Sequence, residues 1–154
     1  MLFRSNVENH KEEKIRCGLA LCAIKDKDEW YIDSGCSHYM TGDKSKMESL
    51  KKNQDGKVIL SNDAPSNILG KGRAIINKNR RAVDTLLVQG LKQNLLSVGQ
   101  MEDKGNIIVF TSTKCKVMDK EIGEVIARGY KNNDKLYVFK DLTSHRCEED
   151  SDSD

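Results

Sequence analysis

Long apolar runs are missing from this chain. No stretch approaches the roughly 20 apolar residues that a helix needs to cross a bilayer. Met1–Arg4 lead into polar residues rather than into the apolar centre of a signal peptide. These absences predict that the protein has no membrane partner and that it works in an intracellular, reducing location.

Cysteine is present, but not in the arrangement of a disulfide framework or a zinc site. The five cysteines are odd in number and irregularly spaced, whereas small disulfide-stabilised domains use even numbers. Cys17 and Cys22 are separated by four residues, and no second pair of Cys or His follows closely. We therefore expect buried or incidental thiols, with no metal and no other cofactor.

Neither sign of charge dominates the sequence. The 26 basic and 24 acidic residues give a net charge of +2, which is too balanced to indicate a nucleic-acid surface. Basic residues cluster at 44–57 and 71–81, but neither cluster has aromatic residues among its lysines, so solvated faces are favoured. We do not expect nucleic acid as a partner; the alternative, a nucleic-acid-binding module, depends on residues 71–81 alone.

Proline is almost absent, and short apolar segments alternate with turns. The only proline, Pro65, falls in a turn expected at 61–67, between a strand at 56–60 and a return strand that starts at Ile68. Glycines at 70 and 72 would let the return strand bend or let a peptide approach its backbone. Further segments typical of strands are 30–33, 82–88, 106–111, 114–118, 123–129 and 136–139. One short helix is expected between Asn94 and Gly105, so the sequence predicts an all-β, barrel-like fold.

The length suits one domain with a modest core, which we expect over 29–140. Before it, the polar residues up to Arg16 predict a disordered or weakly helical leader, and the apolar stretch 19–24 is long enough for a first strand; we assign 1–28 to this leader. After it, residues 141–154 are acidic and predict a disordered tail.

An aspartate stands at the end of the first strong apolar run. Trp30–Ile32 lead into Asp33, and Ser34-Gly35 follow as a turn, which would hold a carboxylate rigidly at the end of a buried strand. The surrounding block resembles the active-site block of the protease in copia-type retrotransposon polyproteins, which reads W-x-(I/L)-D-S-G-(A/C)-(S/T)-x-H-(M/I)-(T/S). The residues that fit are Trp30, Ile32, Asp33, Ser34, Gly35, Cys36, Ser37, Met40 and Thr41.

The resemblance continues through 68–72, 86–98 and 104–110, and it covers about residues 29–140. It implies a retropepsin-like aspartic protease: a closed β-barrel with a flap hairpin, cutting its own Gag-Pol polyprotein with water and without a cofactor, in the cytoplasm or in virus-like particles. By the same resemblance Asp33, Ser34 and Gly35 are catalytic. Residues assigned to the substrate-binding flap region, which we place within 58–76, are Asn62, Asp63, Ile68 and Gly70. Ser97 stands where retropepsins usually have glycine.

One such aspartate is half of an aspartic protease site. The chemistry needs two carboxylates that share a proton. The only other approach to the motif is Asp84-Thr85-Leu86, where leucine replaces the glycine of the turn inside an apparent strand. The sequence therefore predicts a symmetric homodimer in which each chain supplies Asp33. Ser34 would lock the loop by a hydrogen bond across the axis, and Gly35 would let the backbone lie close to the partner and substrate.

Other interpretations of the same residues stay open. Cys36 and His38 could form a nucleophile pair, although the resemblance makes Cys36 a small packing residue. His38 has too few neighbouring ligands in the sequence for a metal site, which favours a packing or hydrogen-bonding role. The rival for the whole chain is an inactive, truncated or host-retained protease-like β-domain that binds a partner peptide.

Overall fold

The computed structural model describes residues 15–16, 28–52, 55–60 and 63–141. The predicted strand at 19–24, most of the leader, Asn62 and the acidic tail from residue 142 lie outside the described residues. Ile15 and Arg16 are extended and pair in parallel with Val58 and Ile59, so disorder or weak helix is the wrong prediction for these two residues. No helix in the described ranges is long and apolar enough to span a membrane.

Strands dominate the described part of the chain. They are β1 (Ile15–Arg16), β2 (Trp30–Asp33), β3 (Met40–Thr41), β4 (Lys57–Ile59), β5 (Pro65–Asn77), β6 (Arg80–Val88), β7 (Asn94–Ser97), β8 (Asn106–Phe110), β9 (Lys114–Asp119), β10 (Val125–Lys131) and β11 (Tyr137–Asp141). A 3₁₀ turn, η1 (Lys44–Lys46), and one α-helix, α1 (Val98–Asp103), complete the elements. The predicted all-β fold with one short helix is confirmed.

The eleven strands form one sheet in the order β1-β4-β5-β6-β3-β7-β2-β11-β10-β9-β8. Its two ends, β1 and β8, are not paired with each other within the described ranges. The sheet is therefore not closed, and the closed barrel stays a prediction.

Strand β2 lies in the middle of this order and is buried along its whole length. It runs parallel to β7 and antiparallel to β11. Because side chains alternate across a strand, Tyr31 enters one apolar cluster while Trp30 and Ile32 enter a second. Both faces and both edges of β2 are thus covered, which fixes the position of its last residue, Asp33.

The β4–β5 hairpin differs from the prediction in where its turn ends. Pro65 is not a turn residue but the first residue of β5, paired with Ile59. Proline is tolerated at the first position of a strand. The sequence prediction placed it in the turn because proline is common in turns. Asp63 supplies the turn instead, with φ of 63°.

Two glycines of β5 allow another part of the same chain to lie against the strand. A Cβ built on Gly72 would lie 2.0 Å from the carbonyl oxygen of Ser49, and one built on Gly70 would lie 2.6 Å from Cδ1 of Leu50. Backbone hydrogen bonds also join this segment to β5. In the single chain these glycines therefore admit residues 49–51 rather than a peptide, and the β5–β6 register shifts beside each of them.

We expect Gly72→Ala to lower the free energy of unfolding by about 1–3 kcal/mol, because the added methyl group meets backbone that cannot withdraw. Urea unfolding followed by far-UV circular dichroism measures this. Gly99→Ala is the matched control: the nearest atom to its Cβ is Ser97 Oγ at 3.7 Å, and alanine favours its helix. Equal stability of the two variants would contradict the close packing at Gly72.

Candidate functional site

Asp33 ends β2 and is held by its own turn. The Gly35 N–H donates to Asp33 Oδ1 at 2.7 Å, and the Cys36 thiol donates to the Asp33 carbonyl oxygen at 3.8 Å. This is the local bond by which an aspartate closes a turn two residues ahead. The Asp-Ser-Gly sequence therefore builds a fixed carboxylate with one oxygen already occupied.

The other oxygen, Asp33 Oδ2, is buried and has no hydrogen-bond partner in the described part of the chain. The whole residue is 6% exposed. A buried polar atom without a partner costs about 1–3 kcal/mol, and more when it is charged, so such an atom in a native structure needs an explanation. Trp30 Nε1, at the start of the same strand, is likewise buried without a partner.

Ser97 secures the turn from the side of β7. It pairs with Asp33 in the parallel register and is fully buried. Its hydroxyl donates to the Cys36 carbonyl oxygen at 2.8 Å and accepts from the Gln100 N–H at 3.0 Å, as the N-cap of α1. Ser97, which stands where the sequence resemblance leads one to expect glycine, thus ties the Asp-Ser-Gly turn to the helix.

A cavity of about 290 Å³ lies against Asp33. The residues that line it are Ile32, Asp33, Ser34, Phe110, Lys135, Leu136 and Tyr137. Of the last four, Phe110 ends β8, Tyr137 begins β11, and Lys135 and Leu136 precede β11; sequence reasoning missed all four. Tyr137 reaches the site because it pairs with Ile32. No local sequence pattern predicts that pairing.

The predicted site residues divide into two groups. Asp33 and Ser34 meet at the cavity, and Gly35 joins them through its hydrogen bond; Ser34 and Gly35 are exposed. The three flap-region residues that the structure describes do not line this cavity: Asp63 is exposed in the hairpin turn, Ile68 packs in the first apolar cluster, and Gly70 is buried. Their role in substrate binding stays a prediction.

Cys36 is placed as a packing residue. It is 4% exposed and belongs to the first apolar cluster, in agreement with the role that the resemblance implied. His38 Nδ1 lies 2.8 Å from Ser37 Oγ. Within the described ranges no three His, Cys, Asp or Glu side chains are grouped as a metal ion would require.

The pattern quoted for the active-site block has histidine where this chain has Tyr39, and His38 stands one position earlier. Tyr39 is a core residue whose N–H donates to Gln100 Oε1 at 2.8 Å. Burial raises the pKa of its phenol to about 12. The side chain therefore stays neutral at physiological pH and packs in the second apolar cluster.

Asp84, the other aspartate followed by threonine, lies within β6. Its side chain is 63% exposed, its Oδ2 lies 3.7 Å from Lys104 Nζ, and it does not line the cavity at Asp33. Asp84 therefore does not supply a second carboxyl group beside Asp33 within one chain.

Comparison with known families gives one match, and no curated protein or solved structure matches the chain. The matching family is described as Pol polyprotein, beta-barrel domain, and the matched residues are 30–106, half of the chain. This range starts at β2 and ends at the first residue of β8, so it contains the Asp33 turn and α1 but not the strands from β9 onward. The chain therefore belongs to the Pol polyprotein beta-barrel domain family, a region of a retroelement Pol polyprotein.

Proposed function

We propose that this domain is the aspartic endopeptidase of a copia-type element, active as a homodimer on the Gag-Pol polyprotein of that element. The observation that carries the proposal is the state of the Asp33 carboxylate. One oxygen accepts from the Gly35 N–H, while the other is buried with no partner in the described chain. A carboxyl group from a second chain, sharing a proton, is the partner that this chemistry supplies.

Two such carboxyl groups account for the hydrolysis of a peptide bond. The ionised one removes a proton from water, whose oxygen then attacks the scissile carbonyl carbon, while the protonated one donates its proton to the carbonyl oxygen. Collapse of the tetrahedral intermediate breaks the C–N bond: the leaving amine takes the proton that the first carboxylate removed from water, and the hydroxyl formed from the carbonyl oxygen returns its proton to the second carboxylate. No cofactor takes part in this scheme.

The turn itself offers the surface for the second chain. Ser34 and Gly35 are exposed, although Asp33, the last residue of β2, is buried. Ser34 can thus bond across a two-fold axis, and Gly35 lets the two backbones lie close. Because Asp33 Oδ2 is covered in the single chain, the groups that cover it must move when the dimer forms.

The rival function is an inactive β-domain that binds a partner peptide. The covering of Asp33 Oδ2 in the single chain favours it, because an enclosed carboxylate cannot reach water or substrate. It predicts a protein that stays monomeric and does not cleave peptides at any concentration.

We expect the purified chain to cleave a Gag-derived peptide at a rate that rises with the square of protein concentration while the dimer is scarce. A statine-type mimic of the tetrahedral intermediate should inhibit it. Asp33→Asn should abolish cleavage because the amide cannot accept the proton from water. Liquid chromatography with mass spectrometry of the products, over a range of pH, measures each result.

Asp84→Asn is the matched control for this experiment, since Asp84 is exposed and away from the cavity, and it should cleave like the parent chain. Activity that survives Asp33→Asn would remove Asp33 from the mechanism. Sedimentation showing only monomer at high concentration, together with no cleavage, would contradict the protease function and favour the inactive β-domain.

Asp33→Asn should also leave the fold intact and raise the free energy of unfolding by about 1 kcal/mol at neutral pH. The amide keeps an oxygen for the Gly35 N–H and removes a buried charge that lacks a second partner. Urea unfolding measures the difference.

The matched control is Asp43→Asn. Asp43 Oδ1 accepts from the Ser45 N–H at 3.0 Å, the same two-residue spacing, but Asp43 is exposed. We expect it to change stability by no more than a few tenths of a kcal/mol. A strong loss of stability in Asp33→Asn alone would show that the carboxylate serves the fold rather than catalysis.

A further inference from the structure

Three positive side chains lie side by side across the late strands. In the antiparallel register Arg128 on β10 is opposite Lys116 on β9 and also opposite Lys140 on β11. Residues directly opposite each other have Cβ atoms about 4.5–5.5 Å apart, and like charges in such pairs destabilise a sheet. The row formed by Lys116, Arg128 and Lys140 is therefore unfavourable unless an anion lies over it.

The row faces solvent rather than the core. Side chains alternate across a strand, and Val117 and Ala127, which adjoin the row on β9 and β10, are buried. Lys140 is exposed, and Lys116 and Arg128 are half-buried. All three positive groups are therefore accessible from the same side of the sheet.

A second row extends this surface. Lys114 lies opposite Tyr130 in the same register. Tyr130 is 40% exposed, and the Lys140 ammonium lies 5.7 Å from the centre of its ring, within the range of a cation–π contact. Lys114, Lys116, Arg128 and Lys140 together form the basic face of the sheet. They lie outside both basic clusters of the sequence, and only strand pairing brings them together.

No carboxylate of the described ranges forms an ion pair with the basic face. The ion pairs in those ranges are Lys46–Asp28, Arg81–Glu48 and Lys104–Asp84. Asp119 ends β9 on the opposite face of the strand, and its carboxylate accepts from the N–H groups of Glu121 and Ile122 in its own turn. An anion that offsets the basic face would therefore come from outside the described ranges.

The sequence contains a dense acidic segment shortly after the last residue of the basic face. Five of the seven residues at 148–154 are Asp or Glu, and none is basic. Glu148 follows Lys140 by eight positions, a length that spans up to about 26 Å when extended. The row covers two strand spacings, about 10 Å. The acidic segment can therefore reach every position of the row.

The spacing of the acids also fits the row. Asp150, Asp152 and Asp154 alternate with serines, and in an extended peptide residues two apart point to the same side. Such a peptide presents three carboxylates to one surface, and the row presents three cations. A short covalent link gives an effective concentration of about millimolar, so ion pairs that are weak one by one suffice for binding.

We propose that residues 148–154 bind to the basic face of the same chain, which makes this face a binding site for acidic peptides. The bound segment neutralises the like charges of the row and occupies the surface that another polyanion, such as a nucleic acid, would use. The inference is independent of the chemistry at Asp33, because no residue of the basic face lines the cavity there.

Carbodiimide cross-linking of the full chain tests the proposal, because this reagent joins a carboxylate to a lysine amine only when the two are in contact. Peptide mapping by mass spectrometry should find amide links from residues 148–154 to Lys116 or Lys140. Raising the salt to about 1 M should reduce these links at least about fivefold, since salt screens exposed charges. A mixture of unlabelled and ¹⁵N-labelled chains distinguishes links within a chain from links between chains.

Arg128→Gln should lower the yield of these links about two- to fivefold, since it removes one positive group of the row but none of the amines that react. Lys92→Gln is the matched control: it loses the same charge at an exposed residue between β6 and β7, so the yield should not change. Circular dichroism spectra equal to that of the parent chain confirm that both variants fold.

Links that spread evenly over exposed lysines such as Lys92, or a yield that Arg128→Gln leaves unchanged, would overturn the proposal. Links found only between chains would overturn it as well. A fluorescent oligouridylate provides a further test against a variant whose five acids at 148–154 are replaced by their amides. We expect this variant to bind the probe at least about tenfold more tightly than the parent chain at low salt. Equally tight, Arg128-dependent binding to both chains would show that nucleic acid, not the acidic segment, occupies the face.

Discussion

The hydrogen bond from the Gly35 N–H to Asp33 Oδ1 is the interaction on which the site depends. It fixes the Asp33 carboxyl group in its own turn, while the other oxygen, Oδ2, has no hydrogen-bond partner in the described chain. Apart from this oxygen and Trp30 Nε1, the buried polar side chains of the described chain have hydrogen-bond partners. Thr41 donates to Asn94 at 2.6 Å, and Asn94 donates to the Glu29 carbonyl oxygen at 3.0 Å. Against that background, the oxygen of Asp33 is an exception at the place where function would require one.

The two strands that neighbour β2, β7 and β11, contribute different parts of the site. Strand β7 holds the turn through Ser97 and continues into α1, so one residue links the site to the helix cap. Strand β11 brings Tyr137, and Leu136 just before it, beside Asp33, after a course through β8, β9 and β10. The matched family range supplies the carboxylate and its support, while the strands that follow supply the cavity wall.

Sequence reasoning located what short-range patterns encode. The buried run before Asp33, the step from Asn94 into α1 and the four late strands follow from local hydrophobic pattern and capping, and the structure has them. It missed what distant residues decide. Pro65 is predicted as a turn residue until its partner Ile59 is known, and Gly72 is predicted to let the strand bend or a peptide approach until Ser49 is found beside it. No sequence pattern around Tyr137 placed it at the site, because it lines the cavity only through its pairing with Ile32.

Two buried atoms without partners lie in β2, and they differ in what they imply. Trp30 Nε1 belongs to a neutral indole among apolar neighbours, where an unmade hydrogen bond has a modest cost. Asp33 Oδ2 belongs to a carboxyl group, for which burial costs far more, and its residue borders a cavity. A group of this kind persists when a second molecule satisfies it or when its reactivity is used. Both conditions hold in a dimeric aspartic site, since the partner carboxyl group supplies the missing bond and the shared proton supplies the reactivity.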